Sequence, residues 1–186
     1  MNTVNVIKVA AAQITPKFLN KSKTIDIACN AIAEAGKNGC KLLVFPEAFI
    51  SGYPDWVWLI PNSKGADLNA LYIKLVENAI SVPDDSTEKL CKAAKTANIN
   101  IVIGMHEKNS ETSSASLYNS LLYINDKGEI IGKHRKLIPT GGERLIWAQG
   151  DGSTLRAYDT SAGRIGGLIC WEHLMPLARN AMYENG

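Results

Sequence analysis

The opening of the chain constrains the fold more than any other stretch. An apolar, β-rich segment over 4–13 is broken by Pro16 and a polar stretch to Ser22, after which Ile25, Ala28, Ile32 and Ala35 recur at helical spacing. Gly36 and Gly39 stop that helix, and Lys41-Leu42-Leu43-Val44-Phe45 then reads as a short buried strand ending in Pro46-Glu47. Strand, helix and strand in succession imply two parallel strands, because a strand followed by a helix returns to its sheet most easily through a right-handed crossover. An α/β fold is the expectation.

The rest of the chain extends this unit. A loop with Gly52, Pro54 and Pro61 concentrates the aromatics Tyr53, Trp56 and Trp58, and helices are predicted over 66–80 and 86–98. In the second, Asp85 and Glu88 read as a capping box, while Leu90, Ala93, Ala94 and Ala97 form the apolar face. A strand over 99–105 and a polar loop over 108–116 precede strands 117–124 and 129–134, which flank the hairpin signature Asn125-Asp126-Lys127-Gly128. Loop chemistry in Pro139-Thr140-Gly141-Gly142-Glu143 and Gly150-Asp151-Gly152 leads to a strand over 155–158. A last strand over 165–169 delivers Cys170, and a helix begins near Pro176. No repeat or linker-like shift in composition divides the chain, so residues 1–186 are read as a single domain.

Charge narrows the function classes. Twenty basic residues against eighteen acidic ones leave a net charge of +2, without the basic footprint that nucleic acid or an anionic membrane demands. Lys8 interrupts the first apolar stretch, which argues against a signal peptide, and no apolar run approaches transmembrane length. A cytoplasmic setting is expected, with Cys29, Cys40, Cys91 and Cys170 as reduced thiols and a small neutral molecule as partner.

Four residues carry candidate chemistry. Cys170 follows an apolar strand and precedes a turn, where a thiol can be displayed beside backbone N–H groups that stabilise developing negative charge; a buried inert cysteine fits the segment equally well. Cys29 and Cys91 fall inside helical patterns and Cys40 follows a helix stop, which suits packing. Glu47, flanked by Phe45 and Phe49, is expected to be partly desolvated, as suits a general acid or base; a solvated strand-end carboxylate is the bland alternative. Lys136 lies just past a strand, positioned either to stabilise an anionic intermediate or to form a solvated basic face, and Glu143 either orients it or lies at a loop surface. Cys170 and His173 have metal-ligand spacing, but the other cysteines and histidines are scattered, so no metal is expected. Gly150-Asp151-Gly152 lacks the spacing of a phosphate loop.

Phe45-Pro46-Glu47-Ala48-Phe49, His134-Arg135-Lys136-Leu137 and Cys170-Trp171-Glu172-His173, in this order, resemble the Glu-Lys-Cys motifs of the nitrilase superfamily of carbon-nitrogen hydrolases. The resemblance covers essentially the whole chain. It implies an α-β-β-α sandwich, here truncated after the nucleophile, with Cys170 as nucleophile, Glu47 as proton relay, Lys136 as charge stabiliser and Glu143 as orienting carboxylate. Tyr53, Trp171, Glu172 and His173 are then the side chains beside the substrate. Cys170-Trp171-Glu172 with Met175-Pro176-Leu177, and Gly52-Tyr53-Pro54-Asp55-Trp56-Val57-Trp58, are similar to the nitrilase branch, although Ser51 stands where those relatives often have proline. The implied activity is hydrolysis of an organic nitrile to acid and ammonia without metal or organic cofactor, in a homo-oligomer, dimer or spiral, when full length. The alternatives are an amidase, a cyanide-converting member, or a catalytically silent assembly fragment.

Overall fold

The structure is a computed structural model, describing residues 6–109, 113 and 115–186. Strand β1 (Val9–Ala11), helix α1 (Lys21–Lys37) and strand β2 (Leu42–Val44) form the expected crossover unit, with β1 and β2 parallel. The start of the predicted first strand, residues 4 and 5, lies outside the described residues. Asn20 caps α1 by accepting the Lys23 N–H at 3.0 Å, and Ile25, Ala28, Ile32 and Ala35 are its buried face.

A four-residue helix, α2 (Trp56–Leu59), and α3 (Gly65–Glu77) follow, then α4 (Asp85–Ala97). The cap of α4 sits one residue earlier than predicted. The Asp84 carboxylate accepts from Ser86 and Thr87 N–H at 2.9 Å, and Thr87 Oγ1 accepts the Asp84 N–H at 2.9 Å, so Thr87 takes the place expected of Glu88.

Strand β3 (Asn100–Lys108) pairs parallel with β2, then β4 (Leu117–Ile124) and β5 (Ile130–Arg135) add antiparallel, giving a mixed sheet in the order β1-β2-β3-β4-β5. Asn125 Oδ1 closes the β4–β5 turn by accepting from Lys127 and Glu129 N–H at 3.0 and 2.9 Å. Part of the predicted 108–116 loop, residues 110–112 and 114, lies outside the described residues.

The two faces of this sheet are covered differently. Ile101, Ile103, Met105, Leu122 and Ile124 face α1 and α4 in the main core, where each fully buried Ile or Leu contributes about 1.5–3 kcal/mol. Val102, Leu121 and Tyr123 face the other way, against Tyr158 and Ile165 of a hairpin formed by β6 (Tyr158–Thr160) and β7 (Gly163–Ile165), and against Ile169 of the segment that follows.

Two predicted strands are corrected here. The one over 155–158 begins only at Tyr158, because Leu155 N–H closes a turn on the Gly152 carbonyl at 3.1 Å. The one over 165–169 ends as a ladder at Ile165: β7 pairs only with the three-residue β6, and 166–169 runs on without a strand partner among the described residues. Gly167 lets that segment cross β4 closely, since a Cβ there would meet Tyr123 Oη at 2.7 Å and Leu121 Cδ1 at 2.9 Å. Helix α5 (Pro176–Glu184) begins with proline at its first turn, as predicted, and among the described residues no helix is long and apolar enough to cross a membrane.

Candidate active site

Strand alternation builds the site. In the β3–β4 register His106 stands opposite Asn119, and Lys136, the residue after β5, bonds the Asn119 carbonyl through its N–H at 2.8 Å, so His106, Asn119 and Lys136 form one row. Glu47 reaches this row from the end of β2. It does so because β3 has a glycine beneath it: a Cβ on Gly104 would meet the Pro46 carbonyl, Ala48 N at 2.7 Å and Glu47 Cα at 2.8 Å.

Lys136 is 1% exposed, and its ammonium donates to Glu47 Oε1 at 2.9 Å and to Glu143 Oε2 at 2.8 Å. Burial works against the charge on this lysine, but the two carboxylates outweigh it and hold its pKa above the ordinary value. It therefore stays cationic. The ring of Trp147 lies 5.9 Å from Nζ, within cation–π range.

Glu143 is presented by a single 3-10 turn, Gly141–Leu145, and braced from two sides. Its Oε2 also accepts the Thr140 N–H at 2.7 Å, and its Oε1 accepts the Tyr53 hydroxyl at 2.7 Å. Burial, then the bond to Glu143, raises the Tyr53 pKa, so the phenol keeps the proton it donates. Behind them, Trp147 Nε1 donates to His106 Nδ1 at 3.0 Å, which makes Nε2 the protonated nitrogen facing the Gly52 carbonyl at 2.9 Å. Complete burial lowers the His106 pKa to about 4, so the imidazole is neutral. Ser51 has φ +77°, a value closed to proline, so a proline at this position requires a different loop path.

Cys170 starts a 3-10 turn, Cys170–Leu174, with φ +55° and an exposed side chain. The left-handed conformation costs a non-glycine residue about 1–2 kcal/mol and turns the thiol outward where the segment after β7 ends. What holds the turn is Glu172. Its fully buried carboxylate accepts the Ile169 N–H at 2.6 Å and the Leu137 N–H at 2.7 Å, joining the neighbour of Cys170 to the neighbour of Lys136. His134 Nε2 lies 3.0 Å from the same carboxylate, and Thr154 Oγ1 is 3.2 Å from His134 Nδ1. Despite burial, His134 and these backbone donors lower the Glu172 pKa.

The structure thus brings Glu47, Lys136, Glu143 and Tyr53 into one hydrogen-bonded cluster, with the Cys170 turn tied to it through Glu172. The Cys170 thiol itself makes no hydrogen bond to the cluster among the described residues. Trp171 and His173, on either side of Glu172, are exposed. Asn119, His106, His134 and Trp147 were not singled out as site residues from the sequence. The strand alternation that places Asn119 and His106 in line with Lys136 was the available signal. Among the described residues no cluster of three or more His, Cys, Asp or Glu suited to a metal occurs.

Against this geometry, the family model for carbon-nitrogen hydrolases matches residues 8–186. The chain belongs to the carbon-nitrogen hydrolase family. This carbon-nitrogen hydrolase chain is 41% identical over 175 residues to a nitrilase of Bacillus sp. (strain OxB-1), covering 94% of this chain and 49% of that protein. Among solved structures it is similar to Saccharomyces cerevisiae Nit3, a member of branch 10 of the nitrilase superfamily, with TM-score 0.75, 25% identity, and coverage of 96% of this chain and 60% of that one. A double mutant of the amidase from Nesterenkonia sp. AN1 in complex with acrylamide has TM-score 0.71 and 17% identity, covering 97% of this chain and 62% of that one. The mixed sheet and flanking helices are those of the nitrilase superfamily, and the chain spans about half the length of the nitrilases it matches.

Proposed function

We propose that the protein hydrolyses an organic nitrile to a carboxylic acid and ammonia through a covalent intermediate on Cys170. The observation that carries this reading is the buried Lys136 ammonium held between Glu47 and Glu143, beside a turn that displays an exposed thiol. The 41% identity to a nitrilase supports nitrile over amide.

In this reading Glu47 takes the Cys170 proton as sulfur attacks the nitrile carbon, and returns it to nitrogen, giving a thioimidate. Water adds to the thioimidate carbon, and the tetrahedral adduct expels ammonia to leave a thioester. A second water, deprotonated by Glu47, cleaves the thioester to the acid and the free thiol. Two waters are consumed for each ammonia. Lys136 stabilises the negative charge of each tetrahedral stage in a buried setting, where a fixed cation acts more strongly than in water. Glu143, braced by Tyr53 and Thr140, keeps the ammonium aimed. Glu172 acts by positioning, because its oxygens are taken by protein donors, and exposed Trp171 offers an apolar surface beside the thiol. A cytoplasmic setting suits the four free thiols.

A second reading, an amidase, is favoured by the likeness to the amidase structure and by the fact that the same three groups serve carboxamides. Ammonia and carboxylate measured side by side on nitriles and the matching amides decide between them. Equimolar acid and ammonia from the nitrile, abolished in Cys170→Ala, is the expected result; turnover of amides alone assigns the amidase, and no turnover of either class refutes both. Iodoacetamide supplies a separate check. Cys170 should react first, since Cys40 is buried and burial raises the pKa of both Cys29 and Cys91.

A further inference from the structure

We propose that Asn119 is a positioning residue for Glu47, selecting which carboxylate oxygen exchanges protons during the reaction. The proposal rests on the hydrolase reading above and adds a residue to it. Asn119 Nδ2 donates to Glu47 Oε1 at 2.6 Å, and the Lys136 ammonium donates to that same oxygen at 2.9 Å. Oε2 has no hydrogen-bond partner among the described residues. Two donors on one oxygen leave the other as the free acceptor, so Oε2 is the atom that takes the thiol proton and later the proton of water.

The state of the amide itself argues for this role. Asn119 is 1% exposed, and its Oδ1 is buried with no hydrogen-bond partner. An orphaned buried carbonyl is unfavourable, and an asparagine serving packing alone would have both ends satisfied. Here the only side-chain bond Asn119 makes among the described residues is to Glu47. The amide cannot be turned over to relieve Oδ1, because that would set two acceptors face to face. Its backbone carbonyl meanwhile takes the Lys136 N–H at 2.8 Å. One residue of β4 thus sets the acid from its side chain and the amine from its main chain. Glu47, on the loop after β2, has no regular strand of its own to fix it, so its carboxylate depends on these two donors for direction.

The test compares the parent chain with Asn119→Asp, which keeps the shape, and Asn119→Leu, which keeps most of the volume. Two readouts are taken. The first is the rate at which iodoacetamide alkylates Cys170, which needs no turnover; it should fall in both variants, as it does in Glu47→Gln, because a misdirected Glu47 takes the thiol proton less readily. The second is steady-state hydrolysis of a nitrile. Here kcat should fall about 10- to 100-fold with KM changed less than about threefold. An alkylation rate equal to the parent's in either folded variant overturns the proposal, as does an unchanged kcat where that rate has fallen. A parent chain inactive on nitriles and amides instead refutes the proposed function, and the alkylation rates then decide the Asn119–Glu47 coupling alone.

Discussion

Strand β5 and the residue after it contribute to ion clusters on opposite faces of the sheet, and the contrast between them is between a carboxylate with both oxygens occupied and one left partly open. On the helix side Glu107 accepts from Lys133, from the Nε and Nη2 of Arg135 and from the Ser120 hydroxyl, and Arg135 also covers the Tyr118 ring at 4.1 Å. Both carboxylate oxygens are occupied, and although burial opposes it, these donors lower the Glu107 pKa. On the other side Lys136 joins Glu47 and Glu143, and Glu47 keeps one oxygen free of protein donors. A saturated carboxylate can only hold the fold together; an unsaturated one beside a buried cation can also move a proton.

The largest expected effect breaks the Lys136 cluster. Lys136→Met should lower kcat by about 10²–10³-fold in ammonia release, as loss of a single charge-stabilising donor does. It should also cost about 3–5 kcal/mol in denaturant unfolding, because Glu47 and Glu143 would face each other without the cation. Acid then distinguishes the faces. His106 has its folded pKa depressed to about 4 from an ordinary 6.5, so the unfolded chain binds the extra proton between those values. Its stabilisation is present in full above pH 6.5 and is lost as pH falls towards 4, on the order of 3 kcal/mol. Glu107, also depressed, begins to lose its contribution only below the ordinary carboxylate value of 4.5. Stability measured against pH should therefore slope between pH 6.5 and 4, and His106→Gln should flatten that slope.

Smaller changes sharpen the contrast. Glu107→Ala should cost about 2–3 kcal/mol, less than a fully buried pair because Lys133 and Arg135 can turn to water, and kcat should stay within about threefold. A large kcat loss there, in a folded variant, would erase the distinction. Tyr53→Phe leaves the buried Glu143 Oε1 without its donor, and should lower kcat about tenfold and the melting temperature by a few degrees.

The basic run at 133–136 shows how far the sequence could be read. As a string it suits either a solvated face or a catalytic lysine. Alternation along β5 and one residue past its end sends Lys133 and Arg135 to Glu107 on one side, and His134 and Lys136 to the other, so the run is divided between two faces and neither is simply solvated. Glu47, Lys136 and Glu143 were readable because each stands next to a strand end or a glycine turn. Glu172 was named for its neighbour Cys170, and only the fold reveals that its carboxylate clamps Ile169 to Leu137. Asn119 looked like any polar residue of an apolar strand.

Sequence alone determined the elements whose signals are local: the crossover of β1, α1 and β2, the limits of β4, the helices α3 and α4 to within a residue or three, and the order of acid, amine and thiol. Periodicity and capping act over a few positions, so they survive in a string of letters. The tertiary structure decided everything that depends on partners far apart in the chain. Glu47 meets Lys136 across 89 positions and Asn119 across 72, and both meetings require the strand register and the space above Gly104. Which carboxylate is saturated and which is left open depends on those long-range partners, and only the assembled sheet selects them.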